Sequence, residues 1–337
     1  MTARRLCFTG PRSVEVRDRE VPDPGPEEVR VRTVASAISA GTEGLLYRGE
    51  APAGLAADET LDALDGDLSY PLTYGYAAAG EVDAVGECVP EAWLGRRVFA
   101  YNPHESRFLA RPEDLLAIPD GVPTREATLL ASVETAVTFL LDGEPLLGER
   151  AVVFGQGIVG LLTSALLAEM PLDALVTVEP WARRRAVSEK FGADRTLDPA
   201  DCEVADAVEA AAGGRVDLAY ELSGNPDALD DAIAATEFDG RVVIGSWYGT
   251  KPATVDLGGR FHRSRIDLRS SQVSTIPPRH GGRWSRRRRH EVAWDRLERL
   301  DADRLLTHEF PLEEAADAYR LLAAGGEDAL QVLFTYD

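Results

Sequence analysis

Residues 150–170 read "RAVVFGQGIVGLLTSALLAEM", a short apolar strand that turns through glycines directly into an apolar helix. Gly155, Gly157 and Gly160 give the spacing G-x-G-x-x-G at that junction. The first glycine permits a tight turn, the second lets backbone approach a pyrophosphate, and the third allows close helix–strand packing. The amides that open the helix, at Ile158 and Val159, attract phosphate charge. The next apolar run, "ALVTVEP", places Glu179 nineteen residues beyond Gly160. A carboxylate there hydrogen-bonds both ribose hydroxyls of NAD and repels a 2′-phosphate. NAD is therefore expected rather than NADP, although Arg183, Arg184 and Arg185 follow closely and offer charge to a 2′-phosphate. Ser223 and Gly245, at the ends of two later strands, complete the expected dinucleotide set. The alternative for the motif is a glycine-rich turn with no ligand.

Outward from this motif the chain keeps one rhythm. From about residue 121, helical stretches such as "TREATLLASVETAVTFLLDG" alternate with the apolar runs "RAVVFG", "ALVTVE", "VDLAYELS", "GRVVIGSW" and "IDLRSSQVS". Such alternation predicts a doubly wound parallel sheet covered on both faces, an α/β domain. Residues 1–120 read differently, as short β runs ("SVEVRD", "EEVRVRTVASAIS", "AGEVDAVG", "GRRVFAY") broken by turn residues. Within them, residues 49–70, "GEAPAGLAADETLDALDGDLSY", predict an acidic surface excursion with some helix. The closing "HEFPLEEAADAYRLLAAGGEDALQVLFTYD" reads as helix, glycine turn and strand, and its His308 as structural.

Composition narrows the class. The formal net charge is −21, and Lys190 and Lys251 are the only lysines. An acidic surface with few lysines suits concentrated salt, where screening weakens self-repulsion, so a halophilic protein is expected. A GC-rich genome is the alternative source of the arginine bias. The acidic balance excludes a nucleic-acid binder. No apolar run is long enough for a membrane span, and "MTARRLCFTG" lacks a signal-peptide core, which predicts a cytoplasmic location. Cys7, Cys88 and Cys202 form neither a disulfide framework nor a metal motif.

A β-rich first domain followed by a Rossmann domain resembles the medium-chain dehydrogenase/reductase superfamily of the zinc alcohol dehydrogenase type. The family frame of glycines falls on Gly75, Gly80 and Gly86 in "GYAAAGEVDAVG". The runs "SAISAGTEGLLYRGEAP" and "YPLTYGYAAAGEV" look most like the branch that contains bacteriochlorophyllide a dehydrogenase. The resemblance implies a GroES-like catalytic domain at 1–120, a Rossmann domain at 121–294 and a segment at 295–337 returning to the first domain. It also implies zinc ligands where this chain carries Ser39 and Tyr76, a neighbouring glutamate where it carries Ala77, and a third ligand near Glu134. Hydroxyls are poor zinc ligands beside thiolate and imidazole, so no zinc is expected.

Hydride transfer without a metal needs hydrogen-bond donors that converge on the substrate oxygen. Tyr76 and Ser39 stand at the family's ligand positions, Thr42 near its proton-relay hydroxyl, and His104 after a strand whose end faces the cleft in that family. Each has a plainer alternative: a packed aromatic, backbone-bonded turn residues and a loop histidine. Glu134 lies near the third-ligand region, and Arg279 and Arg283 are placed to hold an anionic substrate. The run Arg286 to Arg289 is expected to open a helix and pair with surface acids. The expected activity is zinc-independent hydride transfer between NAD(H) and a secondary alcohol or its ketone, in a homodimer or homotetramer joined near "LRSSQVS". The alternatives are an NADPH-dependent quinone or enoyl reductase and a dinucleotide-binding protein without turnover.

Overall fold

The computed structural model describes every residue except Glu59, Asp62, Glu327 and Asp337. The chain divides into two compact units, residues 1–131 with 297–337, and residues 132–296.

The first unit opens with an antiparallel pair, β1 (Thr2–Gly10) and β2 (Ser13–Glu20), in which Leu6 and Phe8 point into the core. β3 (Val29–Ala37) follows, then the short helix α1 (Thr42–Arg48) and the strands β4 (Ala78–Val85), β5 (Arg97–Ala100), β6 (Arg107–Ala110) and β7 (Leu116–Ala117). β3 pairs with both β4 and β6 in antiparallel register. Glu126–Leu129 forms a single 3₁₀ turn against β3 and β4, so the end of this unit extends past residue 120.

No helix forms among the described residues of 49–70. Asp58 instead ties a turn, accepting from the amides of Thr60 (2.6 Å) and Leu61 (3.0 Å), and such side-chain bonds compete with helix formation. The segment is not purely a surface excursion either, because Leu64 and Leu68 are buried in the core. The expectation is corrected on both points, the helix and the surface position.

The second unit is wound on a six-stranded parallel sheet. In chain order it contains α2 (Leu130–Gly143), β8 (Arg150–Phe154), α3 (Ile158–Ala168), β9 (Ala174–Val178), α4 (Ala182–Lys190) and β10 (Arg195–Leu197). Then come α5 (Val204–Ala212), β11 (Val216–Glu221), α6 (Ala228–Ala235), β12 (Thr236–Ile244), β13 (Asp267–Ser270) and α7 (Arg286–Arg299). The strand order is β10-β9-β8-β11-β12-β13. The order reverses between β8 and β11, the switch point at which doubly wound sheets hold ligands beyond their carboxyl ends. β13 is shorter than the run "IDLRSSQVS" suggests, ending at Ser270.

The C-terminal segment forms β14 (Leu306–Pro311), α8 (Ala315–Ala323) and β15 (Gln331–Thr335). β15 pairs with β3, which completes the seven-stranded sheet of the first unit. α8 buries Ala315, Ala318 and Tyr319 against the N-terminal core. His308 lies on β14 beside Thr307. No helix among the described residues is long and apolar enough to cross a membrane.

Candidate dinucleotide and hydroxyl sites

At the end of β8 the chain takes a left-handed turn at Gly155, φ +87°, where a Cβ would stand 2.5 Å from the Ser223 Cα. Only glycine lets the loops after β8 and β11 lie this close. A Cβ at Gly160 would meet the Gly155 carbonyl oxygen at 2.0 Å, so α3 packs directly on the loop. Gly157 differs, with nothing within 4 Å of a Cβ there. The open space lies where α3 begins, and the first-turn amides of Ile158 and Val159 have no carbonyl within the helix to bond. Space, amides and helix start together fit a pyrophosphate.

Glu179 ends β9 and is 3% exposed. Its Oε2 accepts the Gln156 amide at 2.6 Å and its Oε1 the Trp181 amide at 3.1 Å. The carboxylate is fixed in place, and each oxygen keeps a lone pair for a ribose hydroxyl. Arg185 is drawn away, donating to the Glu179 and Pro180 carbonyls and pairing with Asp198 at 2.8 Å.

The loops after β11 and β12 converge on Glu221, a fully buried carboxylate. Its Oε1 accepts the Ser223 amide at 2.8 Å and the Ser223 hydroxyl, and its Oε2 accepts the Tyr248 hydroxyl. Gly245 donates its amide to the Glu221 carbonyl at 3.0 Å. Ser223 and Gly245 thus stand on a frame built by Glu221 and Tyr248, neither of which the sequence reading named. The signal was a carboxylate closing the buried run "VDLAYE".

Three residues read as substrate contacts are otherwise engaged. Glu134 is buried, taking Arg289 Nε at 2.8 Å and His290 Nε2 at 2.9 Å on Oε1. Arg289 is itself 1% exposed and donates further to Thr138 and to the Val273 carbonyl. The expectation that Arg286 to Arg289 all pair with surface acids is corrected at Arg289, because α7 turns that side chain inward. Arg287 does pair on the surface, with Glu291. Arg279 bonds the Asp142 carboxylate, Glu144 and the Leu141 and Asp142 carbonyls. With Arg241, Arg269 and His280 it covers the carbonyl end of α2, where cations are stabilised by the helix dipole. Arg283 is exposed, with a guanidinium nitrogen 3.3 Å from His280 Nδ1. Arg279 and His280 therefore cap α2, which corrects the reading of Arg279 as an anion site.

In the first unit, Tyr76, Ser39 and Thr42 do meet. Tyr76 donates its hydroxyl to Ser39 Oγ at 2.6 Å and shares a further hydrogen bond with Thr42. All three side chains are partly exposed. Burial raises the Tyr76 hydroxyl above its ordinary value near 10, the bonds to Ser39 and Thr42 working the other way. The phenol is therefore neutral at ordinary pH and can hold or donate a proton.

His104 lies behind this cluster and is fully buried. Its Nδ1 is 2.6 Å from Ser36 Oγ and its Nε2 2.9 Å from Glu43 Oε2. The expectation of a cleft-facing histidine is corrected: both ring nitrogens are engaged inside the protein. Glu43 was not named from the sequence.

The donors at the family's metal positions do not suit zinc. The hydroxyls of Ser39 and Tyr76 are bonded to one another, Ala77 is a buried methyl, and among the described residues no group of three or more His, Cys, Asp or Glu could hold a metal.

Comparison with known proteins shows what the chain is similar to. Residues 159–282 match the family described as zinc-binding dehydrogenase. D-guloside 3-dehydrogenase of Escherichia coli K12 is 24% identical over 310 residues, covering 87% of this chain and 88% of that protein. L-threonine 3-dehydrogenase of Pyrococcus abyssi is 25% identical, covering 92% of each chain. Over most of its length the chain is similar to dehydrogenases of the medium-chain, alcohol dehydrogenase type. It shares its fold over 99% of both chains with a short chain alcohol dehydrogenase of Escherichia coli CFT073 complexed with NADH, at a TM-score of 0.80 and 20% identity. That likeness shows the GroES-like and Rossmann architecture.

Proposed function

We propose that this dehydrogenase moves hydride between NAD(H) and a secondary alcohol or its ketone without a catalytic zinc. The observation that carries the reading is the Tyr76–Ser39 hydrogen bond of 2.6 Å at positions where the zinc-type family places metal ligands. Two hydroxyls that bond each other, with Thr42 alongside, supply hydrogen-bonding groups in place of a Lewis acid. Neutral Tyr76 donates to an oxygen that gains charge as a ketone is reduced, and Ser39 and Thr42 hold the phenol in line. In the oxidative direction the alcohol proton leaves through the same hydroxyls. The dinucleotide, when bound, supplies or accepts the hydride at its nicotinamide ring.

NAD rather than NADP is supported by Glu179, whose buried carboxylate would repel a 2′-phosphate. The same residue argues against an NADPH-dependent quinone or enoyl reductase. A secondary alcohol is supported by the names of the two relatives, both of which denote oxidation at a 3-hydroxyl carbon. The acidic balance of −21 supports a halophilic protein, and β13 at the sheet edge supports association into a homodimer or homotetramer.

The test is metal analysis of the purified protein, then turnover with NAD⁺ and with NADP⁺ on methyl glycosides, polyols, L-threonine and 2,3-butanediol. NAD⁺-linked oxidation that survives chelation is expected. Stoichiometric zinc whose removal abolishes activity overturns zinc independence. NADH binding with no turnover on any alcohol or ketone identifies a dinucleotide-binding protein instead.

A further inference from the structure

We infer that Glu43 is the positioning residue of the hydroxyl site, holding Ser39 directly and Tyr76 through His104. This rests on the reading of Tyr76 and Ser39 as the reacting hydroxyls.

Glu43 is a carboxylate with 0% exposure, in a place where an uncompensated charge is very costly. It is compensated on both oxygens. Oε1 accepts the Ser39 amide at 2.8 Å, and the Glu43 amide donates back to the Ser39 carbonyl at 2.9 Å. Ser39 is thus closed into a small ring with Glu43, which sets the position of its Oγ.

Oε2 takes His104 Nε2 at 2.9 Å and the Tyr319 hydroxyl. His104 is pinned from its other side by Ser36 Oγ at 2.6 Å, and Ser36 is in turn 2.6 Å from the Tyr336 hydroxyl. The ring then bears on the backbone that carries Tyr76. A Cβ at Gly75 would lie 2.8 Å from His104 Cδ2 and 2.9 Å from Nε2, and the Gly75 φ is +118°. The His104 amide donates to the Tyr74 carbonyl at 3.1 Å, fixing the residue on the other side of Gly75. Tyr76 therefore leaves a backbone that His104 holds from below, and His104 is held by Glu43.

One carboxylate consequently governs both ends of the Tyr76–Ser39 bond. The arrangement Ser36–His104–Glu43 has the order of a hydrolytic triad, but all three side chains are fully buried and no substrate reaches them. Its work is to orient.

The test uses the full chain with NAD⁺, in the variants Glu43→Ala, Glu43→Gln and His104→Ala. Two signals are followed: amide exchange at Ser39, and the ¹³Cζ resonance of Tyr76 assigned with Tyr76→Phe. Steady-state kcat and KM are measured on whichever alcohol of the panel above the wild type oxidises fastest.

Glu43→Ala is expected to speed Ser39 exchange and shift the Tyr76 resonance together. It should lower kcat by about 10- to 100-fold, the loss of a charge-assisted hydrogen bond, with KM for NAD⁺ unchanged. His104→Ala should shift Tyr76 while leaving Ser39 exchange at the wild-type rate. Glu43→Gln keeps an acceptor for the Ser39 amide and should recover most of kcat. It also carries the test should Glu43→Ala not fold, since its Tyr76 resonance should still move as His104 changes partner. A folded Glu43 variant with both signals at their wild-type values overturns the proposal. Shifted signals in a chain whose wild type oxidises no alcohol would leave the positioning intact and sink the dehydrogenase chemistry assigned to these hydroxyls.

Discussion

Glu179 accepts the Gln156 amide at 2.6 Å, so the carboxylate at the end of β9 also holds the glycine loop at the end of β8. If Glu179 chooses the cofactor as proposed, cofactor choice and loop stability are linked in one side chain. Glu179→Ala should weaken NADH binding by about tenfold or more and lower stability by about 1–3 kcal/mol, because a buried amide loses its partner. NADPH binding should fall less or improve as the repulsion of a 2′-phosphate is removed. Calorimetric titration with both cofactors, beside urea unfolding, separates the two effects. Equal losses for NADH and NADPH would show that the residue supports the loop and does not choose the cofactor.

Removal of the Tyr76 hydroxyl tests the reacting group itself. Tyr76→Phe should lower kcat by about 10²- to 10³-fold, as does loss of one preorganised donor to a developing oxyanion. NAD⁺ affinity should be unchanged, since the second unit alone carries the dinucleotide residues. Unchanged turnover in this variant would move the proton donor elsewhere.

Several buried phenols set an alkaline limit. Burial raises the hydroxyls of Tyr74, Tyr76, Tyr220, Tyr248, Tyr319 and Tyr336 above their ordinary value. An unfolded chain releases these protons near pH 10 while the folded chain keeps them. The stability they contribute is thus complete below about pH 10 and lost as pH rises further, because the unfolded state then binds fewer protons. Urea midpoints should be level with respect to tyrosine ionisation up to about pH 9.5 and fall steeply above it. Tyrosinate absorbance that rose well before unfolding would show the phenols to be accessible.

The Arg289–Glu134 pair offers a contrast between breaking and replacing a buried charge. Arg289→Ala should cost about 3–5 kcal/mol by leaving Glu134 buried without its main partner. The double variant Arg289→Met, Glu134→Leu should recover much of that loss, since both charges leave together. A cycle of denaturation curves gives the coupling, and near-additive losses would mean the two residues act independently.

Net charge supplies the last expectation. With a formal charge of −21, self-repulsion should weaken as salt rises. The urea midpoint should increase between about 0.1 M and about 2 M KCl. A midpoint that is flat or falls over that range would refute a halophilic surface.

What could be read in advance divides by chain distance. The glycine turn, the strand before it, the helix after it and Glu179 lie within thirty residues, and a local pattern of apolar and glycine positions specifies them. The meeting of Tyr76 with Ser39 was accessible only because the family's spacing placed both at ligand positions. Arg279 was misread because sequence shows a cluster of cations but not the carbonyl end of α2 that absorbs them. Glu134 looked like a site carboxylate for the same reason, with Arg289 far along the chain.

The sequence by itself determined a Rossmann unit with its glycine turn and the carboxylate Glu179 at the end of the next strand, since neighbouring residues and backbone sterics suffice for both. The tertiary structure alone decided what stands behind the hydroxyls. Glu43 meets His104 across 61 positions, His104 meets Ser36 across 68, and Ser36 meets Tyr336 across 300. No local periodicity encodes those pairings. The last exists because β15 returns to pair with β3, which brings the C-terminus against the strand that leads to Ser39.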